Sequence, residues 1–141
     1  MIDKSVLLQV PPERAFELFT RRISAWWPPD RRHTGDPAST LTLEPTGRFW
    51  ERGGDGHEVE LGRVVAWTPP ERLVLDFYPG TGPMQPTRVV VTFQPEAGGT
   101  RVRVVHTPGA CDPALWEGRV ALFRGGWDKV LAGISAFSSL A

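Results

Sequence analysis

Between Pro113 and Ser139 the apolar residues Trp116, Val120, Phe123, Trp127, Val130, Ile134 and Phe137 recur in steps of four and three. Only a helix of 3.6 residues per turn gathers such positions on one face. At 1.5 Å per residue this helix would be roughly 40 Å long. Asp112 is a good N-cap and Pro113 suits the first helical position, so the start is well marked. An apolar stripe of that length has to be covered by something equally long. The rest of the chain must supply it.

The preceding sequence offers strands. "KSVLLQV" reads as a first strand, and "PPERAFELFTR" then starts a helix with Pro12 at its first position and Phe16, Phe19 and Ile23 in helical phase. The prolines of "SAWWPPD" end that helical region, and "RRHTGDPAS" is a polar loop. Short strands follow in "STLTLEP" and "GRFWER", with "GGDG" as a turn. In "HEVELGRVVAW" Val59, Leu61, Val65 and Trp67 share one parity. "RLVLDFY", "TRVVVTF" and "TRVRVVH" alternate in the same way, and Val102, Val104 and His106 fall on one face. Such alternation marks antiparallel strands with one buried face. The expected order is a strand, two short helices, about six further strands and one long helix, all in one domain. A twisted sheet curls around a helix, and a curved sheet and a straight helix leave a gap at one end.

Composition narrows the function. Lys plus Arg and Asp plus Glu each number 16, and no basic run exceeds two residues. A nucleic-acid partner, which needs a positive surface, is not expected. Cys111 is the single cysteine, so no intrachain disulfide forms, as in a reducing compartment. The N-terminal apolar stretch is too short for an export signal, and no stretch is long enough to span a membrane. The expected location is the cytoplasm. Six tryptophans and seven phenylalanines provide a rich aromatic core or the walls of an apolar pocket.

Five segments together carry a family likeness: "PPERAFELFT", "WWP" at 26–28, "GRVVAWTPPERLVLDF" at 62–77, "GGTRVRVVH" at 98–106 and "GGWDKVLAGI" at 125–134. In this order the chain resembles the SRPBCC, or START-like, superfamily. Within it, the chain is similar to single-domain relatives of the C-terminal domain of the activator of heat-shock protein 90 ATPase. The resemblance implies an α+β helix-grip fold over residues 1–141, with a curved antiparallel sheet of six to seven strands around the C-terminal helix. It also implies a pocket. Superfamily members bind lipids, hormones or polyketides, act as cyclases or hydratases, or assist a chaperone.

In such a fold the expected occupant is a small hydrophobic molecule beneath the long helix. Trp26 or Trp27 is expected to cap the cavity, with Trp50, Trp67, Phe77, His106, Phe123 and Trp127 around it. Gly125, Gly126 and Gly133 interrupt the helix at a cost of roughly 1 kcal/mol each. The expectation is that they admit a close neighbour or ligand, with Gly126 beside the pocket mouth. His106, Tyr78 and Arg88 are candidate polar anchors. His106 is also the one candidate acid–base group, because its pKa lies near neutrality. Asp76 is read as a solvated residue of the outer face. Cys111 lies near a helix start, where a thiol can be activated, but no partner residues can be assigned. The His, Asp and Glu residues of "HTGD" and "DGHE" lack zinc-ligand spacing, so neither metal nor cofactor is expected. Two other readings stay open: a cyclase- or hydrolase-like enzyme, and a chaperone co-regulator with a surface interface. An exposed sheet edge also admits a homodimer.

Overall fold

Seven strands form one antiparallel sheet in the order β1-β7-β6-β5-β4-β3-β2. The computed structural model describes residues 1–140. In chain order the elements are β1 (Ile2–Leu8), α1 (Pro12–Phe19), α2 (Ile23–Trp26), a 3₁₀ turn (Pro29–Arg31), β2 (Thr40–Leu43), β3 (Arg48–Arg52), β4 (Glu58–Thr68), β5 (Arg72–Phe77), β6 (Thr87–Glu96), β7 (Gly99–Thr107) and α3 (Pro113–Ser138). β1 pairs with β7 from Ile2 opposite His106 to Leu8 opposite Thr100, so the first strand lies beside the last. The sheet curls as a half-barrel around α3, which is the expected helix-grip arrangement.

α3 begins where Asp112 accepts the Ala114 N–H at 2.9 Å, with Pro113 in the first turn. Its buried stripe is Trp116, Phe123, Trp127, Val130, Leu131 and Ile134. Val120 and Phe137 are half-buried at its margin. Burying one such side chain contributes about 1.5–3 kcal/mol. That outweighs the roughly 1 kcal/mol lost at each of Gly118, Gly125, Gly126 and Gly133. Packing therefore holds this helix, and its local propensity does not. Among the described residues no helix is long and apolar enough to cross a membrane.

The inner face of the sheet is regular on β5, β6 and β7, where Leu73, Leu75, Phe77, Val89, Val91, Phe93, Val102 and Val104 are buried. β4 departs from the expected single parity. Phe49 pairs with Gly62 and Trp50 with Glu60, which leaves Leu61 as an extra residue. Val64 pairs with Leu75 and Ala66 with Val74, which leaves Val65 extra as well. Each bulge moves the phase by one residue. Val64 consequently packs against the core, while Val65 is 49% exposed. The second bulge restores Trp67 to the inner side, where it meets Phe16 of α1 edge-on at 5.4 Å. Phe16 and Phe19 also contact Phe93 at 5.1 and 5.9 Å, so α1 closes this end of the half-barrel with apolar contact.

Candidate functional site

The other end of α3 is where helix and sheet part. One wall is the segment that follows α2. Pro28 and Pro29 stop the helix there, and Arg32 ties the chain back by donating to the carbonyls of Ser24 at 2.9 Å, Trp27 at 2.8 Å, and Ser39. From the sheet, Glu51 Oε1 accepts the His33 N–H at 2.7 Å. Its Oε2 accepts the Thr34 N–H at 2.7 Å and the Ser39 hydroxyl at 3.1 Å. Burial opposes ionisation of Glu51, but these hydrogen bonds prevail and hold its carboxyl below the ordinary range. The clamped loop presents Trp27, Arg31 and His33 to the helix.

The facing wall is α3 itself, through Arg119, Phe123, Gly126 and Trp127, with Leu122 and Val130 at its edges. Phe77 and Pro79, from the end of β5, form the floor. Together they enclose a cavity of about 130 Å³, open on one side. Trp27 and Trp127 meet edge-on at 6.4 Å, and Phe77 lies 5.7 Å from Trp127. A Cβ on Gly126 would meet nothing within 4 Å. The missing side chain is thus part of the empty volume.

A chain of hydrogen bonds fixes these walls from behind. The Trp127 indole N–H donates to His106 Nδ1 at 2.9 Å. His106 Nδ1 must therefore be unprotonated, so Nε2 carries the hydrogen and donates it to Thr87 Oγ1 at 2.7 Å. Thr87 in turn donates to the Phe77 carbonyl. Burial pushes the His106 pKa down to about 3, with the N-terminal ammonium adding to the effect. His106 is fully buried and neutral, with both ring nitrogens engaged.

The sequence matches the family model described as Activator of Hsp90 ATPase homolog 1-like protein over residues 9–138. The chain belongs to this family. A search of curated proteins finds no match. Among solved structures, a Rhodobacter sphaeroides protein is similar with a TM-score of 0.71 and 20% identity, covering 99% of this chain and 92% of that one. Protein Ms6760 from Mycobacterium smegmatis is similar with a TM-score of 0.65 and 22% identity, covering 98% and 90%. The anthrahydroquino-γ-pyrone synthase Txn09 is similar with a TM-score of 0.61 and 26% identity, covering 96% and 94%.

In this member of the Hsp90-activator-like family, Phe77, Phe123, Gly126 and Trp127 line the cavity. Four other expected residues lie elsewhere. Trp26, the last residue of α2, turns toward α1: its indole donates to the Leu18 carbonyl at 2.7 Å and its ring meets Phe19. Trp27 takes the cavity position. Trp50 alternates with the buried Phe49 and Glu51, so it faces outward, with the Arg48 guanidinium 5.0 Å above its ring. Trp67 sits at the α1 end, and His106 lies behind the Trp127 wall.

The other expected anchors are engaged away from the cavity. Tyr78 donates to Glu60 at 2.6 Å, and burial together with that carboxylate pushes its pKa up to about 12. Arg88 binds Asp76 at 2.9 Å on the outer face. Burial raises the Cys111 thiol, which is the reverse of activation. The polar groups that do reach the cavity are Arg31, His33 and Arg119. Arg119 was legible in retrospect, since it stands four residues before Phe123 and seven before Gly126 on one helical face. Arg31 and His33 read only as loop.

Proposed function

We propose that this protein binds a small hydrophobic molecule in the cavity between α3, the end of β5 and the loop after α2. The observation that carries the reading is the empty space over Gly126, walled by Trp27, Phe77 and Trp127. Natural pockets are mostly apolar with a few polar groups at fixed positions, and this one has that composition. An engineered apolar cavity of similar size, about 150 Å³, accepts benzene. An occupant about one ring in size therefore fits without rearrangement, and a larger one would extend through the open side. Large exposed apolar residues among those described are Met1, Val65, Met84, Leu122 and Leu140, and only Val65 lies on a strand. That distribution favours a pocket over the co-regulator's apolar docking face.

Gly126→Leu tests the reading. Its side chain would occupy the cavity without meeting a neighbour at Cβ, so the variant should fold with a melting temperature no lower than the parent's and lose binding of one-ring aromatic probes. Quenching of Trp27 and Trp127 fluorescence reports the binding. A variant that binds such probes as well as the parent protein overturns the assignment.

A second reading has one observation behind it. Txn09 is a synthase on the same fold, and this cavity contains one imidazole, His33. Burial lowers the His33 pKa, Arg119 and Arg31 lower it further, and Glu51 opposes them. A neutral imidazole is a competent general base. Acid–base chemistry here would fall to His33 and not to His106, whose lone pair is held by Trp127. Turnover of a cyclisable polyketide-like substrate that survives His33→Asn would rule that role out.

A further inference from the structure

We infer that the cavity selects a compact aromatic carboxylate, with the ring over Gly126 against Trp27, Phe77 and Trp127 and the charge held by Arg31 and Arg119. This rests on the reading of the cavity as a ligand site and adds the sign of the ligand's charge. Both arginines line the cavity and are half-buried. In each, Nε is buried and has no hydrogen-bond partner. Among the described residues, neither guanidinium lies within 4.0 Å of a carboxylate, whereas nine other ion pairs do. A buried donor left unpaired is costly.

The nearby carboxylates are already committed. Glu51 faces the back of the His33 loop, with both oxygens taken by His33, Thr34 and Ser39. Asp30, next to Arg31, pairs with Lys129. Arg31, His33 and Arg119 all line the same cavity.

The two guanidiniums are also seated. A Cβ at Gly80 would collide with the Arg119 guanidinium, and one at Gly125 would lie 3.7 Å from Arg31 Nη2. Arg119 stands 5.9 Å over the Phe123 ring, which fixes the orientation of its head. Gly80 thus leaves room for the charged head of Arg119 at an aromatic cavity, and Arg31 packs at ordinary contact distance from α3. The planar fork of arginine matches a carboxylate in two parallel hydrogen bonds. The remaining volume of about 130 Å³ limits the apolar part to about one ring.

Benzoate and its neutral isostere benzamide test this by calorimetry on the full-length protein. Benzoate should bind about tenfold tighter or more, as expected for charge-assisted hydrogen bonds. Raising NaCl from 0.05 to 0.5 M should weaken benzoate and spare benzamide, a test that needs no variant. Arg31→Met and Arg119→Met should each bring the benzoate-to-benzamide ratio toward one. Arg31→Lys and Arg119→Lys, which keep the charge but not the fork, should give intermediate ratios. Arg14→Met, which removes a charge outside the cavity lining, should leave the ratio intact. Equal affinity for the two probes, or a ratio unmoved by both Met substitutions, overturns the carboxylate inference and leaves an apolar pocket. Binding of neither probe overturns the pocket reading and the carboxylate inference together.

Discussion

Gly126 and Gly133 lie seven residues, about two turns, apart on the same face of α3. They serve opposite ends. A Cβ on Gly133 would stand 2.8 Å from the Trp26 carbonyl oxygen and 3.5 Å from its ring, so α2 presses on the helix backbone there. A Cβ on Gly126 would meet nothing within 4 Å. One glycine permits contact and the other preserves a void. The same residue type, at the same helical phase, closes one end of the half-barrel and opens the other. The difference lies in what the loop after α2 brings opposite the helix.

The largest way to break this contrast is Gly133→Leu. The neighbour is backbone and cannot rotate away, so α2 must move. We expect a loss of about 3 kcal/mol, the upper end for overpacking, read by chemical denaturation. A loss within about 0.5 kcal/mol would mean that the two ends pack alike.

Acid should sharpen the contrast next. The open end is held by the chain from Trp127 through His106 and Thr87 to Phe77, whereas the α1 end rests on apolar contact. His106 has a folded pKa of about 3 against an ordinary 6.5. The unfolded chain therefore takes up a proton that the folded one refuses. Stability from this residue is fully present above pH 6.5 and is lost as pH falls toward 3. The slope is about 1.4 kcal/mol per pH unit, or about 2 kcal/mol between pH 6.5 and 5. His33, also lowered, adds in the same direction. Denaturation midpoints taken across that window should fall with pH in the parent protein and less steeply in His106→Leu. Parallel slopes would show that this histidine does not titrate on unfolding.

The smallest effect has the opposite sign. Gly126→Ala adds a methyl group to open space in a helix interior. It should stabilise by about 0.5–1 kcal/mol, because alanine restricts the unfolded chain and favours the helix. A thermal melt checks it, and any loss would mean that the space over Gly126 is filled.

Much of the fold was legible in the sequence. The four–three spacing from Trp116 to Phe137, the Asp112–Pro113 start and the alternation in the last three strands each appear as expected. β4 was not, because a bulge is invisible to a parity count: Val65 has the sequence signature of a core residue and faces solvent. The site was half legible. Phe77, Phe123, Gly126 and Trp127 sit on regular elements whose period fixes their direction. Trp26 and Trp27 are adjacent, and no period chooses between them at the end of a four-residue helix. Trp50 was misplaced because aromatic character was given more weight than its alternation with Phe49 and Glu51.

The sequence by itself determined that one long amphipathic helix lies in a curved antiparallel sheet, because backbone periodicity and apolar burial leave a chain with these patterns few other arrangements. It also led to the expectation of a gap at one end with aromatic residues near it. Only the tertiary structure decided that His106 is a neutral brace and that Arg31 and Arg119 stand unpaired at the cavity. Those assignments depend on contacts between residues distant in the chain. Burial, hydrogen-bond partners and ion pairing at such contacts arise from how the elements pack, and no local spacing encodes them.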